Sequence, residues 1–189
     1  MINTAQADMK NLFLIIALLS IFLLNGYSSV KSTEHLPPVS GFNPDSYLGT
    51  WYEIVRMPHS FEQGLSNVTA TYSLRDEGGI DVLNKGFNKD SGKWSEARGR
   101  AYFTGAPNTG ELKVTFFWPF YGQYRIIRLD PDYQWAVVTS DTMDYFWILS
   151  RTPQMPTGRL EELVRQAAAE GFTTSKFIYV KQDISKITH

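Results

Sequence analysis

Cysteine is absent from this chain of 189 residues, which excludes disulfides, thiolate nucleophiles and cysteine-held metals. Histidine is scarce. His35, His59 and His189 are scattered, the last at the C-terminus, so a histidine metal site or catalytic triad has almost nothing to build on. Neither sign of charge is in excess. The formal net charge of -1 leaves no basic field for nucleic acid. Long hydrophobic runs are missing too. The longest goes from Leu12 to Leu24 and is interrupted by Ser20. A relaxed membrane helix wants about 20 apolar residues, so this run is short for a span. Its length suits the core of a secretory signal, with Lys10 as the positive flank and Met9 as an alternative start to Met1.

What the chain does have is aromatic residues, at 14%, and a long stretch of period-two alternation. Val68, Ala70, Tyr72 and Leu74 alternate with Thr69, Thr71, Ser73 and Arg75. Turn residues then recur at short intervals: Asp76-Glu77-Gly78-Gly79, Lys89-Asp90-Ser91-Gly92, Pro107-Asn108-Thr109-Gly110, Pro119-Phe120-Tyr121-Gly122, Asp130-Pro131-Asp132 and Ser140-Asp141-Thr142. With Trp51 to Met57 in front and Tyr145 to Arg151 behind, eight strands are predicted. One helix follows. Thr157 is placed to cap it, Leu160, Leu163, Val164, Ala167 and Ala168 form its apolar face, and Gly171 ends it. A short ninth strand is predicted over Lys176 to Val180. A single amphipathic helix cannot cover both faces of a sandwich, but it can pack outside a closed barrel. Closure also removes edge strands. The predicted fold is therefore all-β, an eight-stranded antiparallel up-and-down barrel with one C-terminal α-helix outside and a short ninth strand. Eight strands enclose an interior that is either filled by side chains or holds one small ligand.

Tyr47-Leu48-Gly49-Thr50-Trp51-Tyr52-Glu53 opens the first predicted strand. Leu129-Asp130-Pro131-Asp132-Tyr133 lies between the sixth and seventh strands, and Ile148-Leu149-Ser150-Arg151-Thr152-Pro153 ends the eighth. These three ordered segments resemble the signatures of the lipocalins, and the resemblance covers Phe42 to Gln182. Bacterial outer-membrane members are the most similar, through Phe61-Glu62-Gln63-Gly64-Leu65, Ala101 to Pro107 and Trp118 to Gly122. The apolar run ends Leu23-Leu24-Asn25-Gly26-Tyr27-Ser28-Ser29, which is similar to a bacterial lipoprotein signal. Tyr27 stands where that signal has its lipidated Cys, and a phenol cannot form the thioether that carries the lipid. The expected organisation is an export signal over 1–27, a flexible tether over 28–41, the barrel over 42–182 and a tail over 183–189. The product is expected to be exported and soluble, through cleavage after Ser28, and not lipid-anchored.

The resemblance implies that Trp51 closes one end of the barrel under Arg151, with Gly49 allowing the close approach. Trp51 inward places Glu53 and Val55 inward as well, and Arg151 does the same for Leu149, Trp147 and Tyr145. Alternation and the resemblance together give the expected ligand-facing set: Glu53, Val68, Ala70, Tyr72, Asn84, Ala97, Val114, Phe116, Tyr124, Ile126, Tyr145 and Trp147, with Val82 and Ala101 also inward. The small residues Ala70, Ala97 and Ala101 argue for a void. Glu53 is either held in a structural contact or touches a ligand, because an inward carboxylate is expensive alone. Arg56, His59, Phe61 and Trp118 to Tyr121 are expected at the open rim, where exposed aromatics could meet a membrane or a second copy.

The implied function is binding or transport of a small hydrophobic ligand, a fatty acid or lysophospholipid, in envelope maintenance, with no cofactor and no nucleic-acid partner. Three alternatives stay open: a tetrapyrrole or other pigment as cargo, a small enzyme with Glu53 as base, and an interaction protein whose barrel is filled. No inward position is His, which disfavours haem. No second catalytic group converges on Glu53 in these strand phases, which points to a binding protein rather than an enzyme.

Overall fold

The computed structural model describes residues 30–106 and 108–183. After a short helix, α1 (Pro44–Tyr47), come eight strands: β1 (Gly49–Arg56), β2 (Leu65–Leu74), β3 (Ile80–Asn88), β4 (Lys93–Phe103), β5 (Glu111–Phe117), β6 (Phe120–Leu129), β7 (Trp135–Thr139) and β8 (Phe146–Ser150). A second helix, α2 (Thr157–Ala169), and strand β9 (Ile178–Tyr179) follow. The strands pair in the order β2-β3-β4-β5-β6-β7-β8-β1-β9, and β1 also pairs with β2, which closes the barrel. The expected architecture is therefore the observed one. One turn is tighter than expected. Phe117 pairs with Phe120, so β6 begins at Phe120 and only Trp118 and Pro119 form the bend. Strand β9 is shorter than the expected 176–180, because Thr174–Lys176 coils into a turn of 3-10 helix.

The ladder slips at four places, one of them in β5 between Val114 and Phe117, and a slip re-aims the residues beyond it. In β1, Glu53 pairs with Leu149 but Val55 pairs with Ile148, so the register slips between them. Val55, expected inward, instead joins Ile54 and Ile148 in the outer core. Arg56, expected at the rim, pairs with Trp147 and is buried. In β6 a slip between Ile126 and Arg128 sends Arg128 outward, where its guanidinium pairs with Glu170. In β2 the slip lies between Ser66 and Thr69, and Asn67 takes φ 51, a conformation asparagine tolerates.

Outside the barrel, α2 lays Leu163 and Ala167 against Ile54, Val55, Val137, Phe146 and Ile148. Phe177 stacks on Phe146 with ring centroids 4.8 Å apart. Burying each such side chain is worth about 1.5–3 kcal/mol. Thr157 does not cap α2: it is the first helical residue, Pro156 occupies the cap position, and no side chain bonds there. Ala168, expected on the apolar face, is exposed. Gly171 does end the helix, at φ +96, with Phe172 N–H bonded to the Ala167 carbonyl at 3.1 Å.

Residues 31–41 of the expected tether, together with Phe42, are bonded to the barrel. They run along the barrel wall from its open end to its closed end. At the open end Met143 N–H donates to the Lys31 carbonyl at 2.8 Å, and Thr33 N–H to the Asp141 carbonyl at 3.1 Å. Arg125 donates to the Thr33 carbonyl at 3.0 Å, and Leu36 is buried in the outer core. Further on, Val39 N–H donates to the Ile126 carbonyl at 2.9 Å and Phe42 N–H to the Asn108 carbonyl at 2.8 Å. Proline 37 and proline 38 lack N–H groups, and the bonds fall on residues either side of them. The signal, Tyr27 and the end of the tail lie outside the described residues.

Candidate functional site

One end of the barrel is shut by Trp51, which is wholly buried. Its indole N–H donates to the Tyr47 carbonyl at 2.8 Å. The Arg151 guanidinium lies 3.9 Å from the indole centroid, a geometry worth about 0.5–2 kcal/mol. Arg151 also donates to the carbonyls of Ser46, Thr50 and Tyr133 at 2.8, 3.1 and 3.2 Å. The need for glycine at 49 is a matter of backbone. Its φ is +89, whereas a Cβ there would meet Arg151 at an ordinary 3.5 Å. Crowding is thus not the reason, contrary to expectation. Helix α1, capped by the Asn43 side chain on Asp45 N–H at 3.0 Å, carries Tyr47 into the interior.

Above this plug sits a floor of three tyrosines. Tyr47 and Tyr72 each lie within hydrogen-bond reach of the Tyr124 hydroxyl, at 2.8 and 2.9 Å. Burial pushes the Tyr72 phenol up to about 12, and raises Tyr47 and Tyr124 well above their ordinary value. All three remain neutral hydroxyls at any physiological pH.

The cavity over this floor has an inner chamber of about 110 Å³ and a wider outer part of about 620 Å³. Glu62, Val68, Asn84, Val114, Phe116 and Trp147 line both parts, so the two are continuous. Of the residues expected to face the interior, Glu53, Val68, Ala70, Tyr72, Asn84, Val114, Phe116, Tyr124 and Trp147 line the inner chamber, with Val82, Ala101 and Leu149. Ala97 and Tyr145 line the outer part. Ile126 lines neither. It points inward but is wholly buried in the packed core near the closed end. Asn84 Oδ1 is a buried acceptor with no hydrogen-bond partner among the described residues.

The wall of the inner chamber holds a buried charged cluster. Arg56 Nη1 donates to Glu53 Oε1 at 2.7 Å, and Nη2 to the carbonyls of Glu62 and Leu65 at 2.8 and 3.2 Å. Glu62 Oε2 lies 3.9 Å from Arg56 Nε and 3.1 Å from His59 Nε2, and accepts from the Trp147 indole at 3.4 Å. Burial, and then the Glu62 charge, push the Glu53 carboxyl well above the usual range despite Arg56. For Glu62, burial acts the same way but is outweighed by His59 and Arg56, which hold it below that range. Two carboxyls thus share one buried guanidinium, and Glu53 is the one that tends to keep a proton. The sequence reading left Glu53 without converging partners. The bulge in β1 brings Arg56 to it, and the 3-10 turn Ser60–Glu62 brings Glu62. Glu62, Phe42 and Tyr47 lie outside any alternating strand, so periodicity could not have found them. His59, expected at the rim, has a nearly buried side chain stacked on Phe61 at 3.8 Å. Among the described residues no His, Asp and Glu group is placed to hold a metal.

At the open rim Phe117, Trp118 and Phe120 are 81%, 80% and 78% exposed, and Phe61 is 58% exposed.

A closed barrel with one mouth, an apolar interior and a tryptophan plug under an arginine defines a small-ligand binding protein. Residues 43–182 match the lipocalin-like domain, and the chain belongs to the lipocalin family, whose members bind small hydrophobic molecules. It is 50% identical over 174 residues to the outer membrane lipoprotein Blc of Escherichia coli K12, covering 92% of this chain and 98% of that one. It is 46% identical over 175 residues to Blc of Vibrio cholerae, covering 92% and 99%. Among solved structures, the cockroach allergen Per a 4 shares the fold with a TM-score of 0.63 at 16% identity, covering 80% of this chain and 95% of that one.

Proposed function

We propose that this chain carries one single-chain lipid, a fatty acid or a lysophospholipid, in the bacterial envelope, and that it binds without catalysing a reaction. The observation that carries the reading is the pairing of a largely apolar cavity with a buried charged cluster in the wall of its inner chamber. An acyl chain suits the apolar part, and a polar head would meet Glu53, Glu62 and the Asn84 side-chain carbonyl, which line the chamber. Glu53 is committed to Arg56, which argues against its use as a free base. The relatives' name, outer membrane lipoprotein, supports an envelope location. With Tyr27 at the position of the anchor Cys, the reading for this chain is a soluble periplasmic form.

Barrel size supplies the test. An eight-stranded interior has room for little beyond one chain and its head. Titration of the purified protein with a lysophospholipid and with its diacyl counterpart, followed by tryptophan fluorescence, should show tighter binding of the lysophospholipid. Equal affinity, or preference for the diacyl form, would overturn the reading.

A further inference from the structure

We propose that Asn84 is a specificity-determining residue of the cavity, whose side-chain amide reads the free glycerol hydroxyl of a single-chain lipid. A diacyl lipid has lost that hydroxyl to its second ester. The assignment rests on the proposed role as a single-chain lipid carrier and sharpens it. Asn84 lies in β3 with its side chain on the interior face. Its ladder partners are Ala70 of β2 and Ala97 of β4, which also line the cavity. Cross-strand neighbours stand about 4.5–5.5 Å apart at Cβ, so only two methyl groups flank the amide. Its Oδ1 is buried, and no described residue donates to it. Thr115 Oγ1 and Gln182 Oε1 are unmet as well, but those residues do not line the cavity. A buried acceptor without a partner is costly, and an apolar residue at this position would avoid the cost.

The depth of Asn84 selects the group it meets. Asn84, Glu62 and Trp147 line both the inner chamber and the outer part, so they border the passage between the two. The other two are already engaged with each other: Glu62 Oε2 accepts from the Trp147 indole at 3.4 Å, and it also lies 3.1 Å from His59 Nε2. In a lysophospholipid the free hydroxyl stands on the carbon between the acyl ester and the phosphate. A hydroxyl held at the passage puts the chain to one side of it and the phosphate to the other. On the outer side the exposed residues Lys85, Ser95 and Asp141 border the cavity, and a phosphate there keeps its water. A hydroxyl both donates and accepts, so it satisfies the amide whichever way the amide is turned. A carboxylate at the same depth fits worse. It has no hydrogen for Oδ1, and it meets Glu53 and Glu62 in a chamber whose lining holds no Lys, Arg or His among the described residues.

The test is a two-by-two comparison. 1-Palmitoyl-lysophosphatidylethanolamine and its 2-deoxy analogue, in which hydrogen replaces the hydroxyl, are titrated by calorimetry into the parent and into Asn84→Leu, below the concentration at which either lipid forms micelles. The parent should bind the lysolipid about tenfold more tightly than the deoxy lipid. N84L should bind the two within about twofold of each other, near the affinity of the parent for the deoxy lipid. N84L should also melt no lower than the parent, because Oδ1 has no partner in the protein to lose. Asn84→Ala repeats the comparison with less bulk, which separates loss of the amide from crowding by leucine. Equal affinity of the parent for both lipids, or a tenfold preference retained by N84L and N84A, would overturn the assignment of Asn84 while leaving lipid binding in place. Failure of the parent to bind either lipid would overturn the carrier role itself, and the assignment with it.

Discussion

Arg56→Met tests the charged cluster in the cavity wall. Arg56 holds Glu53 at 2.7 Å and two backbone carbonyls at 2.8 and 3.2 Å, with its side chain 2% exposed. Methionine keeps much of the volume and none of the donors. Removing one partner of a buried ion pair costs about 3–5 kcal/mol, because the other charge is left uncompensated. For a domain of this size each 1 kcal/mol moves Tm by about 2–4 °C, so the melting midpoint should fall by roughly 10 °C near neutral pH. The pH dependence has a definite sign. A carboxyl whose folded value lies above its unfolded value binds its proton more tightly in the fold. Its contribution is greatest at or below the ordinary range and is lost as pH rises towards the folded value. Glu53 is such a group, raised by burial and by Glu62. Losing the guanidinium raises it further, so the deficit of R56M should be smaller at about pH 5 than at about pH 8. Glu62, held low, acts in the opposite sense: its contribution is present above the ordinary range and lost on acidification. The comparison therefore stays at about pH 5 and above. Adding Glu53→Gln removes the stranded carboxylate, and E53Q/R56M should recover about half of the loss. Urea melts of the parent and both variants measure all of this. A single variant within about 1 kcal/mol of the parent at pH 8, or a double variant no more stable than the single, would refute the reasoning.

Trp51→Ala should cost about 3–5 kcal/mol in folding and leave ligand affinity of the folded fraction nearly intact, whereas Trp147→Ala should do the reverse. Paired melting and binding curves check this, and identical behaviour of the two variants counts against it. Ala70→Phe puts a ring into the inner chamber and should weaken lysophospholipid binding at least about tenfold without lowering Tm. Unchanged affinity would mean that the ligand stays in the outer part. Fractionation of cells expressing this chain beside Tyr27→Cys should find the parent in the soluble periplasmic fraction and Y27C in the outer membrane carrying fatty acid. Recovery of both in the outer membrane with attached fatty acid would show the argument from Tyr27 to be wrong.

The barrel was legible because its signals are local and repeated. Alternation such as Val68, Ala70, Tyr72 sets a strand's faces, and Trp51 with Arg151 sets the phase of the first and last strands. Phase carried along a strand is also where the reading failed. A bulge adds one residue that no composition marks, and past it every face is reversed, as Val55 and Arg56 show. Ile126 failed differently. Its inward direction was right, but direction does not say whether a side chain meets space or neighbours. Residues 31–41 read as a tether because Ser, Thr and Pro are poor in apolar area. What holds them is mainly backbone bonding to strand edges and loops, which residue type does not encode.

The tyrosine floor has a consequence in counting. Three phenols bring three hydroxyl hydrogens, and the two O···O contacts among them use only two. One hydrogen is therefore left over at any moment. If the contacts run one way along the trio it is offered by Tyr72, if they run the other way by Tyr47, and if both outer phenols donate inward it is offered by Tyr124. Interchange requires only rotation about C–O bonds, with no heavy atom moving. The bottom of the cavity thus presents a single donor whose position is set by whatever acceptor arrives, so ligands ending at different depths can be met by the same three side chains.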